Sequence, residues 1–267
     1  MKFISFGSGS SGNCYYLQDE DKGNAILIDA GVGIRKLKKY FREYDINAQT
    51  IQGILVTHDH ADHIKSLGTL SNELGIPVYA TALVHQGIQR LNGAFKKVAP
   101  TSIVNIDKET EFYITDFCVN AFSVPHDASE NVGYSVRLGD DVFTLMTDIG
   151  APTDIVKQKI RQTHHLVVES NYDEEMLRRG PYSQFLKDRI RSGTGHISNH
   201  QTAQLLLETL HPDIKHVWLC HLSEENNHPE LARKTIELEL RSCGIIAGVD
   251  FQFDVLKRQI PSGPYYW

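Results

Sequence analysis

The stretch Ile54-Leu-Val-Thr-His-Asp-His-Ala-Asp-His63 decides how this sequence is read. An apolar run ends at Thr57, and then His58, His60, Asp62 and His63 crowd into the next six residues. On an extended segment His58 and His60 alternate, so both rings are expected to point the same way. Asp62 and His63 then fall at the turn into a following helix. Borderline divalent cations take imidazole nitrogen and carboxylate oxygen, and this segment alone offers four such ligands.

Working outward, further acids and histidines stand at the ends of other apolar runs. Upstream is Ile26-Leu-Ile-Asp29-Ala-Gly31; downstream come Ser123-Val-Pro-His126, Leu145-Met-Thr-Asp148 and Val217-Trp-Leu-Cys-His221. Any one of these alone reads as a turn or capping residue. In series they point to chemistry.

The chain has 267 residues, an ordinary length for one large α/β domain, and 1–267 is expected to form a single one. No apolar run nears the ~18 residues of a membrane span, so no membrane insertion is expected. The opening MKFISFGSGSSG lacks a stretch of secretory-signal length, which makes the cytoplasm the expected location. Four cysteines without a CxxC pair indicate neither a disulfide framework nor a zinc ribbon. Lys and Arg number 27 against 33 Asp and Glu, a net charge of -6 that argues against a broadly basic nucleic-acid coat. It does not exclude a nuclease that neutralises phosphate with metal ions.

Short apolar runs predict strands over Lys2-Phe6, Cys14-Leu17, Ala25-Asp29, Gly53-Thr57, Val78-Ala80, Glu111-Ile114, Phe117-Ser123, Val132-Val136, Val142-Thr147, Leu166-Glu169 and Val217-Leu219. Helical spacing appears at Ile34, Leu37 and Phe41, and again from Ile64 through Leu67 and Leu70 to Leu74, closed by Gly75. Ser198-x-x-Gln201 is a capping-box pattern before Ala203, Leu206 and Leu210, and a last helix opens at Pro229 and stops at Gly244. Strands dominate the first two-thirds and helices fall throughout. That order suits a sandwich of mixed sheets with helices outside.

Thr57-His-Asp-His-Ala-Asp-His63 resembles the HxHxDH signature of metallo-β-lactamase-fold hydrolases, and Asp29, His126, Asp148 and His221 follow that superfamily's order. The resemblance implies an α/β fold, a four-layer αββα sandwich, with two divalent metal ions (manganese or zinc, with iron also suited to such ligands). It implies that His58, His60 and His126 hold one ion and Asp62, His63 and His221 the other. Asp148 would bridge them beside a water or hydroxide, and Asp62 counts among the catalytic residues. Asp29 would orient a ligand histidine through its free ring N–H.

Substrate class is read from three further features. Leu166-Val-Val-Glu169 and Gly195-His196-Ile-Ser198 are similar to a pair in tRNA 3'-processing nucleases of this fold. There a Glu supports a His over the scissile phosphate, which implies that catalytic role for Glu169 and His196 here. The loop Gly7-Ser-Gly-Ser-Ser-Gly-Asn13 and the run His221-Leu-Ser-Glu-Glu-Asn-Asn227-His-Pro-Glu230 resemble the YycJ/WalJ group, 5'-to-3' exonucleases on double-stranded DNA. Ser8, Ser10 and Asn13 in that loop are candidate phosphate contacts. So are Arg189 and Arg191, in a basic segment from Arg178 to Arg191 that holds a single acid, Asp188. The 72 residues between Asp148 and His221 leave no room for the clamping domain of the larger β-CASP nucleases. The expected partner is DNA, at duplex ends, or a small phosphodiester; an oligomer is open. The alternative is a small-molecule hydrolase of the same fold, cleaving a cyclic phosphodiester, a thioester or a lactam.

Overall fold

The computed structural model of the chain describes residues 1–91 and 95–267. These form two compact units. The first takes Met1–Cys118, Ala128–Glu130 and Lys257–Trp267; the second takes Val119–Asp127 and Asn131–Leu256.

In chain order the first part runs β1 (Lys2–Gly7), β2 (Cys14–Gln18), β3 (Ala25–Ile28), α1 (Ile34–Glu43), β4 (Ile51–Leu55), α2 (Ala61–Ile64), α3 (Leu67–Leu74), β5 (Val78–Ala80), α4 (Ala82–Arg90), β6 (Ile103–Asn105) and β7 (Glu111–Ile114). Then follow β8 (Phe117–Ser123), β9 (Val132–Leu138), β10 (Asp141–Met146), α5 (Asp154–Ile160), β11 (His165–Glu169), α6 (Glu174–Arg179), α7 (Gln184–Arg191), α8 (Asn199–Thr209), β12 (His216–Cys220), α9 (Pro229–Ser242), β13 (Gln252–Val255) and β14 (Ser262–Tyr266). Among the described residues one sheet has the order β14-β1-β2-β3-β4-β5-β6 and the other β13-β12-β11-β10-β9-β8-β7. Both are mixed. β1, β2 and β3 pair antiparallel and β3, β4, β5 and β6 parallel, while β9 pairs antiparallel with β10 before the parallel set β10, β11, β12 and β13.

Alternation along the strands builds each core. In the first unit Ile4, Phe6, Tyr16, Leu27, Ile54 and Val78 share one cluster with Leu37, Tyr40 and Phe41, the buried stripe of α1. In the second, Leu166, Val168, Val217 and Leu219 pack with Leu205 and Leu206 of α8 and Ile236 and Leu240 of α9. The capping box expected at the start of α8 is made in both directions by Ser198 and Gln201. Two mixed sheets with helices packed on them match the architecture expected from the sequence.

The structure departs from the sequence reading in several places. The helix from Ile64 to Leu74 is two helices, because Ser66 turns its N–H to Ala30 O (2.8 Å) and its hydroxyl to Val32 O (2.6 Å). β13 and β14, with the short β6, carry no strong apolar run and escape the pattern. The Arg178–Arg191 segment spans the end of α6 and all of α7, with Gly180 capping α6. Among the described residues no helix is long and apolar enough to cross a membrane.

The second unit buries a histidine cluster away from the strand ends discussed below. His165 pairs across the sheet with His216, their Nδ1 atoms 3.1 Å apart, and the His216 ring stacks on Trp218 at 5.0 Å. Burial first, and then the neighbouring His216, push the His165 pKa down to about 3. A base whose folded pKa lies below its unfolded value near ~6.5 contributes stability that is full above that value and lost as pH falls towards the folded one. Thermal unfolding of the native chain is therefore expected to drop more steeply between about pH 6.5 and 4 than that of His165→Asn. Parallel melting curves across that window would show that His165 is not held neutral.

Candidate active site

Strand ends place the residues of interest. In the first unit β3 and β4 run parallel, with Ile28 opposite Leu55, so Asp29 and the Thr57–His63 segment emerge side by side. Asp29 is fully buried and turns out of its strand at φ 60. Its Oδ1 accepts from Thr57 N (2.8 Å), and its Oδ2 accepts from the Thr57 hydroxyl (2.9 Å) and from His63 Nδ1 (2.7 Å). Thr57 Oγ1 in turn accepts from His58 Nδ1 at 3.0 Å. Both rings are thus held through Nδ1, which sets their orientation. His60 caps α2, and ring centroids of His58 lie 4.7 Å from His60 and 4.0 Å from His63. Gly31 lets the motif pass this close: a Cβ there would come within 1.5 Å of Asp62 O.

In the second unit β10, β11 and β12 are adjacent and parallel, so Asp148, Glu169 and His221 leave the same edge of three neighbouring strands. Asp148 and His221 turn out at φ 55 and φ 53. Glu169 is fully buried. Its Oε1 accepts from His196 Nδ1 (2.9 Å) and from His221 Nδ1 (3.0 Å), while Oε2 accepts from the N–H groups of Ile149 (2.9 Å) and Ile197 (3.2 Å). His126 donates through Nδ1 to Gly195 O at 3.0 Å, and its Nε2 lies 3.6 Å from Asp148 Oδ1. Ligand atoms of Asp148, Glu169, His196 and His221 all lie within 4.8 Å of one another. The Glu169–His196 pair suspected from local sequence is made.

Electrostatics follow from these bonds. Burial alone would press His196 towards the neutral form; the Glu169 carboxylate and then Asp148 outweigh it and hold its pKa above the usual histidine value. Burial likewise pushes Glu169 up, and His196 and His221 together bring it below the ordinary glutamate value. Each of the two hydrogen-bonded partners thus favours the charged form of the other.

The other candidates are placed less as expected. Ser8 and Asn13 are buried rather than offered to a phosphate: Ser8 Oγ bonds Tyr15 OH (2.9 Å), and Asn13 Nδ2 lies 2.9 Å from His63 Nε2 and 3.2 Å from Asp62 Oδ2. In that loop Ser10 is the exposed candidate. The basic segment is partly neutralised, because Glu175 pairs with both Arg178 and Arg179, and Asp127 pairs with Arg189. Arg191 is exposed and lines a cavity of about 580 Å³ with Tyr172, Arg178 and His200. Sequence reasoning passed over Thr57 and Asn171, whose Nδ2 donates to His221 O at 2.8 Å. Thr57 stands inside a quoted motif and Asn171 two residues after Glu169, so proximity to a candidate site residue was the signal that existed.

Asp29→Ala would strand the Thr57 N–H, the Thr57 hydroxyl and His63 Nδ1 in a buried site. Each lost partner costs about 1–3 kcal/mol, so chemical denaturation of metal-free Asp29→Ala should show a midpoint clearly below that of the native chain. An unchanged midpoint would mean these bonds do not carry stability.

A family model described as "Beta-lactamase superfamily domain" matches residues 24–221. Exodeoxyribonuclease YycJ of Bacillus anthracis is 33% identical over 100% of this chain and 99% of its own. Exodeoxyribonuclease WalJ of Streptococcus pneumoniae is 34% identical, covering 94% of this chain and 93% of that relative. Among solved structures, the metallo-beta-lactamase fold protein YhfI from Bacillus subtilis aligns with a TM-score of 0.70 over 98% of this chain and 100% of its own, at 15% identity. That last likeness speaks for the fold alone.

Proposed function

The chain belongs to the beta-lactamase superfamily, in the group of the YycJ and WalJ proteins, and from that premise we propose that it is a two-metal phosphodiesterase removing nucleotides from the ends of DNA. His58, His60 and His126 would hold one divalent cation and Asp62, His63 and His221 the other, with Asp148 available to both. Manganese, zinc and iron all suit imidazole and carboxylate donors. The donor chemistry fits: His58, His63, His126 and His221 each have Nδ1 hydrogen-bonded to a protein oxygen, the support that sets the ring orientation of a ligand histidine. When bound, such ions supply a water of lowered pKa and neutralise phosphate charge. The whole chain, 1–267, works as one domain in the cytoplasm, where such a substrate lies. It passes between the units at Cys118, Asp127, Glu130 and Leu256, so neither unit is a continuous stretch.

The observation that carries the phosphodiester reading is the shared carboxylate. Glu169 Oε1 accepts from His221 and from His196, and His196 is the histidine of this cluster that the ligand pattern leaves over. A departing alkoxide needs a proton. His196, held through Nδ1 by Glu169, delivers it from Nε2, and Glu169 keeps the ring aligned through the transfer.

The test uses linear duplexes labelled at the 5' or the 3' end, with metal-loaded protein. Label is expected to leave first from 5' ends, chelation to stop turnover, and manganese or zinc to restore it. His60→Ala should abolish turnover. His196→Ala should lower kcat on the order of a hundredfold or more while elemental analysis finds its metal content intact; loss of a metal ion would make His196 a ligand. Cleavage of cyclic phosphodiesters, thioesters or lactams with DNA untouched would overturn the exonuclease reading.

A further inference from the structure

Helix α7 carries an aromatic ring with nothing over it. Phe185 is 81% exposed, the highest value for a large apolar side chain among the described residues. The helix does not need it for anchorage, because Leu186 and Ile190 turn inward onto Tyr172 and Leu177. Residues four apart share a helix face, which sets Phe185 beside Arg189, whose guanidinium pairs with Asp127, the neighbour of His126. The C-terminal end of α7 lies directly on the His196 loop. His196 N donates to Ile190 O at 2.8 Å, and a Cβ on Gly195 would come within 2.2 Å of the carbonyl oxygens of Arg189 and Ile190. The ring therefore stands about one helical turn from the arginine next to His126.

We propose that Phe185 is a stacking platform for an unpaired base at the end of the DNA, holding the nucleotide that flanks the phosphodiester to be cut. This rests on the exonuclease reading above. The charge distribution favours such a grip. The chain carries a net charge of -6, and beside α7 Arg178, Arg179 and Arg189 pair with carboxylates, which lowers the local positive charge offered to a polyanion. Stacking itself needs none: every base has a π-face, so an aromatic ring is a sequence-tolerant platform for single strands, and a neighbouring arginine adds to it. A hydrophobic protein segment is a poorer occupant, because Gln184 and Asp188 bond to each other on the adjoining face and leave a lone ring rather than an apolar patch.

Two measurements test this. Duplexes with a terminal unpaired 2-aminopurine report stacking by fluorescence quenching, measured in a His60→Ala background so that the DNA persists. Phe185→Ala and Phe185→Leu should lose the quenching and bind about tenfold more weakly, with the salt dependence of binding unchanged, whereas Phe185→Trp should keep both. In the otherwise native protein the first two variants should raise KM about tenfold and leave kcat nearly as it was. Should Phe185→Leu quench and bind like the native chain, or should Phe185→Ala act by dissociating an oligomer in sedimentation, the proposal is overturned and the nuclease reading survives. A native protein that neither binds nor digests DNA removes both.

Discussion

A carboxylate sealed away from water has to be surrounded by donors to remain charged, and in this protein Glu169 meets that demand completely. Four donors converge on it: two backbone N–H groups, from Ile149 and Ile197, and two imidazoles, from His196 and His221. Each donor fixes a different piece of chain. Ile149 follows Asp148 at the end of β10, Ile197 follows His196 at the entry to α8, and His221 ends β12. One buried charge therefore sets the relative positions of Asp148, His196 and His221, and those residues could not shift singly without leaving a donor orphaned.

The first unit solves the same problem with a second acid. Asp29 occupies for His63 and Thr57 the place that Glu169 occupies for the histidines of the second unit, and through Thr57 it reaches His58 as well. In both units the carboxylate sits behind the imidazoles, on the Nδ1 side. Ring orientation is thus decided by hydrogen bonds made on folding, before any cation is bound. The histidines are pre-set, which spares the ordering that a loose cluster would need on binding a metal.

How much of this was legible depends on whether a residue's role is local. The HxHxDH segment was legible because strand, turn and helix start all lie within ten residues, and the capping box of α8 for the same reason. Ser8 and Asn13 were misjudged because a Gly/Ser-rich loop reads as exposed, whereas tertiary contacts with Tyr15 and with the Asp62–His63 turn draw these two inward. The basic segment was overestimated for a related reason. Its neutralising acids are Glu175, just before the segment, and Asp127, 62 residues from Arg189, and composition within a window sees neither. β14 was missed because Ser262-Gly-Pro-Tyr-Tyr266 has glycine and proline where strands avoid them; it is tolerated at the edge of its sheet, against β1.

Nothing in local pattern reveals the backbone device that the two units share. Asp29, Asp148 and His221 each leave the carboxyl end of a parallel strand with φ between 53 and 60, a left-handed turn that costs a non-glycine residue roughly 1–2 kcal/mol. Glycine would make that turn without strain. It would also remove the side chain that the turn exists to aim. The cost is offset locally: the Asp29 carboxylate accepts three bonds, Asp148 accepts from Thr147 Oγ1 at 2.8 Å, and His221 is held by Glu169 and by Asn171. Backbone strain at a strand end and hydrogen bonds at the same residue are two halves of one arrangement. Their coincidence at these three positions marks the strand ends as places where the fold gives up some stability to aim a side chain.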